Sequence, residues 1–150
     1  MDTIKRHKHV QILDDCARLG THSTSYDVAK CLRKYIQVAI PDMLIRENRG
    51  FDNSPEQVYC FMHKNCSGYW VVIIKNDDVK KYGRDCITAY HMRSAITFSD
   101  AYAFPNYHAI GFCNSYEALC DRSPNLLYRY DTHLSCEALV SQMLCMSYEV

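Results

Sequence analysis

The chain has 150 residues, the length of one ordinary domain, and can bury a core without disulfides or metal ions. Its 17 basic and 17 acidic side chains cancel, and a hydrophobic fraction of 48% is typical of a folded protein, which excludes a disordered chain. We therefore predict a single domain over residues 1–150.

Nine cysteines indicate the redox environment. Their odd number, and the lack of an amino-terminal apolar run of signal-peptide length, favour a reducing compartment in which thiols stay free. No window reaches the roughly eighteen continuous apolar residues that a membrane span needs. We expect a cytoplasmic protein without a membrane span, whose cysteines serve mainly as small core side chains.

Two helices are predicted at the amino end. The first covers residues 4–19, is polar over most of its surface and is expected to end at Gly20 in a left-handed cap. The second follows Thr24, which forms a capping-box pattern with Asp27, and its apolar residues recur at helical spacing up to Pro41.

Basic residues are concentrated near the amino end. Residues 1–50 carry nine Lys/Arg against six Asp/Glu, whereas residues 101–150 carry two against five. Only the segment IKRHKH resembles the basic stripe of a nucleic-acid binder, and a solvated helix face is the favoured interpretation. Nucleic acid is therefore disfavoured as a partner, although the segment leaves it open.

After a predicted loop over 46–57, the hydrophobic period changes from that of helices to that of strands. β-branched and aromatic runs of strand length are separated by turn-rich pieces such as NDDVKKYGRD. The runs are VYCFMHK, GYWVVIIK, CITAYHM, AITFSD, YHAIGF, YEALCD and NLLYRYD. A closing helix is predicted within 132–146. We thus predict an α+β fold with two amino-terminal helices, an antiparallel meander of six to seven short strands and a C-terminal helix.

Metal and cofactor sites lack their usual patterns. No C-x-x-C pair occurs, and Cys60 and His63 would lie on opposite faces of a strand. Glycine-rich phosphate loops and a G-x-S-x-G elbow are absent from the sequence. We predict no metal and no cofactor, and we disfavour nucleotide-dependent chemistry and serine hydrolysis.

A thiol nucleophile is the first of three functional hypotheses. A catalytic cysteine acts as the thiolate and is common at a helix amino terminus, where the helix dipole lowers its pKa. Cys136 begins the closing helix and fits this setting best. The segment YHAIGFCNSYEAL, which contains His108, resembles the histidine hairpin of NlpC-type papain-like hydrolases and of their permuted, lecithin retinol acyltransferase-like relatives. SCEALVSQML is similar to the helix that follows their nucleophile.

This resemblance, confined to the C-terminal part of the chain, implies a papain-like hydrolase or acyltransferase. By it, Cys136 attacks an amide or ester carbonyl and His108 accepts the thiol proton. His133 would orient the imidazole or cap the last helix. In the unpermuted form of the family the nucleophile would be Cys66, because NCSGYW resembles that cysteine motif.

The second hypothesis is a metal-independent ribonuclease. Helices followed by an antiparallel sheet resemble the barnase and EndoU-like enzymes, which place His, Lys, Thr or Ser and Tyr on adjacent strands. One such group removes the proton of the ribose 2′-hydroxyl, another protonates the leaving oxygen and a cation stabilises the phosphorane. The candidates are His63, Lys64, Lys75, Thr88, Tyr90 and His91.

The third hypothesis is a binding or inhibitory module without catalysis. Tyrosine buries contact area at low entropic cost and keeps a polar tip, and the chain has twelve. Small intracellular proteins of viruses and mobile elements that disable a host factor often have this character. A protein partner is expected under this hypothesis, and the sequence leaves open whether the chain is an enzyme.

Overall fold

The computed structural model describes residues 3–64, 68–93 and 116–147. Their helices are α1 (Thr3–Ala17), α2 (Ser25–Ala39), α3 (Asn76–Tyr82), α4 (Tyr116–Arg122) and α5 (Cys136–Ser147). Their strands are β1 (Met43–Arg49), β2 (Glu56–His63), β3 (Tyr69–Lys75), β4 (Ile87–Met92) and β5 (Leu126–Arg129). Two amino-terminal helices, a sheet and a closing helix confirm the α+β class.

The strands form one antiparallel meander in the order β1-β2-β3-β4-β5. Strand β3 lies at the centre and is buried along most of its length, which explains its continuous apolar sequence. The register between β1 and β2 shifts between Ile45 and Glu47, where β1 contains an irregularity. Within the described residues, β1 and β5 are therefore the two edges of the sheet.

The two faces of the sheet carry separate cores, because side chains alternate along each strand. One face packs against α1, α2 and α5, and its cluster includes Phe61, Val72 and Ala89 from neighbouring strands. The other face includes Cys60, Val71 and Tyr90 and packs against Cys120 of α4. Helices thus cover both faces, and the sheet edges are left as candidate contact surfaces.

Helix α2 forms as the sequence predicts. The Thr24 hydroxyl accepts a hydrogen bond from the Asp27 amide at 3.1 Å, and the Asp27 carboxylate accepts one from the Thr24 amide at 2.9 Å. This capping box satisfies amides that the first turn leaves without partners. The buried face of α2 contains Val28, Leu32 and Ile36, at the predicted helical spacing.

Two local predictions are wrong because a short helix replaces a turn or a strand. The piece NDDVKKYGRD contains α3, with acidic residues in its first turn and basic residues in its last, an order that complements the helix dipole. Gly83, at φ 65°, follows α3 in the left-handed region. The run YEALCD forms α4 and no strand, because Leu119 and Cys120 are buried together beside the sheet.

Two further predictions are wrong at the ends of elements. The predicted loop over 46–57 contains the second half of β1, which pairs with β2 although its sequence is polar. Gly20 does not adopt the left-handed conformation, since the positive-φ glycines of the described residues are Gly50 and Gly83. The predicted strands over 95–100 and 107–112 lie outside the described residues.

Candidate functional site

Cys136 begins α5, but its side chain is buried in the helical layer, which α1, α2 and α5 form on one face of the sheet. The residue is 1% exposed, and its Sγ donates a hydrogen bond to the Val28 carbonyl oxygen at 3.8 Å. A nucleophilic sulfur must be approached by a substrate carbonyl, and α2 occupies that side of the thiol. In this conformation, Cys136 is placed as a core side chain.

Thiols from three helices lie close together in this layer. Cys16 of α1 and Cys136 of α5 are buried in one cluster, and Cys31 of α2 packs against it. Hydrogen bonding to Cys136, together with burial, raises the pKa of Cys16 to about 12, and hydrogen bonding to Cys16 raises the pKa of Cys31. Protonated thiols are poor nucleophiles, so Cys16 and Cys31 are placed as core side chains.

The other members of the proposed thiol site lie elsewhere or outside the described residues. His108 and Cys66 belong to the segments that are not described, so the Cys136–His108 pair stays a prediction. His133 contacts α3: its Nε2 lies 3.6 Å from Asp78 Oδ2, and its ring stacks on Tyr82 with centroids 4.3 Å apart. These contacts give His133 a role in holding α3 against the segment before α5.

The ribonuclease candidates do not converge on one point. Thr88 and Tyr90 share one face of β4, as predicted, but are 4% and 0% exposed. By alternation, His63 shares the opposite face with Phe61, and it lies at the far end of β2 from the row of Thr88. Lys64 is paired with Asp42 at 3.2 Å. His91 is half-buried beside Trp70, and burial lowers its pKa.

An ionic network that the sequence did not reveal holds α4 against the sheet. The Glu117 carboxylate bridges Lys75 Nζ at 2.5 Å and Arg129 at 3.2 Å, and Arg129 also contacts Asp121 at 3.5 Å. Burial alone would lower the pKa of Lys75, but the hydrogen bond and charge of Glu117 outweigh it and raise that pKa. Each cation thus has an acidic partner, as expected of a structural network.

Among the described residues, the most exposed large apolar side chain is Phe51, in the loop between β1 and β2, at 81%. Leu44 and Ile45, near the other end of β1, are 42% and 41% exposed. We call these three residues the β1 edge patch. Together they place apolar contact area along an edge of the sheet whose backbone has a partner strand on one side in the described residues.

The backbone around Phe51 is fixed by hydrogen bonds on both sides. The Phe51 amide donates to Ser54 Oγ at 2.8 Å, and the Phe51 carbonyl oxygen accepts from Gln57 Nε2 at 2.6 Å and from the Ser54 amide at 3.0 Å. Gln57 is fully buried. Gly50, at φ 126°, has no room for a Cβ, which would lie 2.6 Å from the Glu56 carbonyl oxygen. The Phe51 ring is therefore exposed to solvent on a loop whose backbone is held by hydrogen bonds.

Comparison of the chain with protein-family models, with curated proteins and with solved structures finds no match.

Among residues 3–64, 68–93 and 116–147, no group of three or more His, Cys, Asp or Glu could hold a metal ion. None of the helices in these segments is long and apolar enough to cross a bilayer.

Proposed function

We propose that the chain is a non-catalytic protein-binding module that engages its partner through the β1 edge patch. The observation that carries this proposal is the exposed Phe51 ring on a loop whose backbone is held by Ser54 and Gln57. Aromatic anchors dominate many interfaces, and an anchor that is already ordered loses little entropy on binding. The β1 edge patch combines both properties.

The occupant that fits this surface is an extended segment of a partner protein. Strand β1 pairs with β2 on one side in the described residues, so its other side can accept a further strand. Leu44 and Ile45 are consecutive, and alternation directs them to opposite faces of the sheet. A segment added along β1 would cover both side chains and reach the Phe51 ring at the end of the strand.

The thiol-hydrolase hypothesis has less support from the described residues, because Cys136 is 1% exposed and hydrogen-bonded within the core. Iodoacetamide labelling of the native protein at neutral pH distinguishes the two. We expect the exposed Cys145 to react well before Cys136. A Cys136 rate above that of Cys145 would support the enzyme instead.

The binding proposal is tested by comparing two alanine variants as capture baits. Phe51→Ala removes the anchor, and Leu127→Ala removes a side chain that is 50% exposed at the opposite edge, on β5. A protein that is retained by the wild-type chain and by Leu127→Ala, and lost by Phe51→Ala, is then purified. Titration calorimetry should show binding at least about tenfold weaker for Phe51→Ala, an effect typical of an interface anchor.

Hydrogen exchange on the purified complex tests the mode of binding. We expect the amides of β1 that point away from β2 to gain protection when the partner binds, since an added strand accepts their hydrogen bonds. Equal affinity of both variants for every captured protein would contradict the proposal. Concentration-dependent dimers in analytical ultracentrifugation that Phe51→Ala abolishes would identify a second copy of the chain as the occupant and would also contradict it.

A further inference from the structure

Most of the described side chains in the first two turns of α1 are exposed to solvent. Ile12 is the first buried residue of α1, whereas Ile4 and Val10 are 69% and 51% exposed. Of the intervening side chains that the structure describes, His9 is half-buried and meets the Tyr35 ring at a centroid distance of 5.6 Å. We call residues 3–10 the basic arm.

The basic arm carries an excess of positive charge. Its sequence contains Lys5, Arg6 and Lys8 and no acidic residue, and the acidic residues that flank it in the sequence are Asp2 and Asp14. Within the described segments, neither Arg6 nor Lys8 takes part in an ion pair. The chain as a whole has no net charge, so the arm concentrates a positive potential at one end of a neutral molecule.

These cations are placed against the preference of the helix itself. The amino end of a helix carries a partial positive charge and favours acidic side chains, yet α1 has none in its first turn. Helix α3 of the same chain follows the usual order, with acids first and bases last. A local feature that opposes folding is a mark of function, and here a bound anion would relieve the repulsion.

The cations lie on more than one side of the helix, which favours an anionic ligand that surrounds the helix over one that contacts a single face. Successive residues are rotated by about 100°, so Arg6 and Lys8 lie on opposite sides of the axis. A membrane plane or a protein face would meet one of these sides. The major groove of B-form DNA is wide enough for a helix and has phosphates along both walls.

We propose that the basic arm inserts into the major groove of double-stranded DNA, where Arg6 and Lys8 contact phosphates of opposite strands. Such contacts fix position without reading sequence, so the affinity should be independent of sequence and should depend steeply on salt. The exposed Ile4 side chain adds apolar surface that the groove would cover. This interaction uses α1 and is independent of the β1 edge patch.

The test is fluorescence anisotropy of a labelled DNA duplex, titrated with the full chain at several salt concentrations. The arm variant is Arg6→Ala/Lys8→Ala, and the matched control is Lys80→Ala/Lys81→Ala, which removes two exposed cations from the last turn of α3. We expect the arm variant to bind about tenfold or more weakly. The negative slope of log affinity against log salt should become less steep by about 1.8, the share of two phosphate contacts. The control should change affinity less than twofold.

Circular dichroism and thermal unfolding should show that both double variants are folded. Single-stranded DNA and vesicles of anionic lipid serve as competitors, and both should displace the duplex weakly because neither has a groove. Equal losses in the two variants would show that only the overall charge matters and would overturn the proposal. It would equally be overturned by the absence of saturable duplex binding at low salt, or by tighter binding to the vesicles.

Discussion

The helical layer and the β1 edge patch differ in which side chains they hide. The layer encloses Cys16 and Cys136, whose thiols are the most chemically versatile groups in the region, at 0% and 1% exposure. The edge leaves Phe51, an inert ring, at 81%. These two thiols are thus withdrawn from solvent, while the Phe51 ring is presented to it. This division is expected of a protein whose surface recognises a partner, and it can be tested region by region.

The largest effect is expected in the helical layer. Leu32 of α2 is fully buried in its core, so Leu32→Ala should lower the free energy of unfolding by about 2–5 kcal/mol. Leu127→Ala makes the same truncation at a side chain that is 50% exposed and should cost under about 1 kcal/mol. Urea denaturation of both variants measures the free energy of unfolding. Similar losses in the two variants would contradict the difference expected between the helical layer and the sheet edge.

An intermediate effect is expected from alkaline pH. Burial raises the pKa of Cys86 and Cys120 to about 12, and hydrogen bonding to Cys136 raises that of Cys16 to about 12, from an ordinary value of 9.0. Above pH 9 the unfolded chain loses these protons while the folded chain keeps them. The stability that is fully present below pH 9 should therefore fall by about 1.4 kcal/mol per pH unit for each thiol.

Denaturant unfolding between pH 8 and pH 10 measures this slope. Cys86→Ala removes a buried thiol, so the free energy of unfolding should fall less steeply with pH, by about 1.4 kcal/mol per pH unit. This change in slope does not depend on the stability of the variant at pH 8. Cys145→Ala, which removes an exposed thiol, is the matched control. A slope that Cys86→Ala does not alter would show that this thiol ionises in the folded protein, and that its surroundings are open to solvent.

The smallest effect is expected at the β1 edge. Leu44→Ser and Ile45→Ser alter side chains that are already 42% and 41% exposed, so each should change the free energy of unfolding by no more than about 0.5 kcal/mol. The same variants should weaken binding of the partner that we propose Phe51 to anchor. Destabilisation comparable to that of Leu32→Ala would indicate that the edge belongs to the core.

The parts of the fold that follow from the sequence are those decided by local pattern. Helix α2 needed its capping box and one apolar stripe, and β3 needed a run of β-branched and aromatic residues, all of which are visible within short windows. The sequence did not predict helix α4, because contacts with residues far away in the chain stabilise it. Its Glu117 is held by Lys75, 42 positions away, and no short window contains that pair.

The candidate site was hidden for a related reason. Phe51 looks like any loop aromatic in the sequence, and what distinguishes it is a set of backbone hydrogen bonds to Ser54 and Gln57. Strand β1 is recognisable only through its pairing with β2, since an edge strand can be polar. For Cys136 the sequence predicted the position at the start of a helix. It did not predict that α2 buries the thiol, because that contact joins residues far apart in the chain.

The irregularity in β1 also bears on how the protein avoids polymerising. An exposed edge strand with apolar side chains is a template on which copies of a chain can stack without limit. The break in register between Ile45 and Glu47 lies near the middle of β1, and a bulge of this kind bends a strand and increases its twist, which makes the stacking of flat, identical strands less favourable. The strand that we propose as a binding edge thus has a feature that disfavours growth into a fibre.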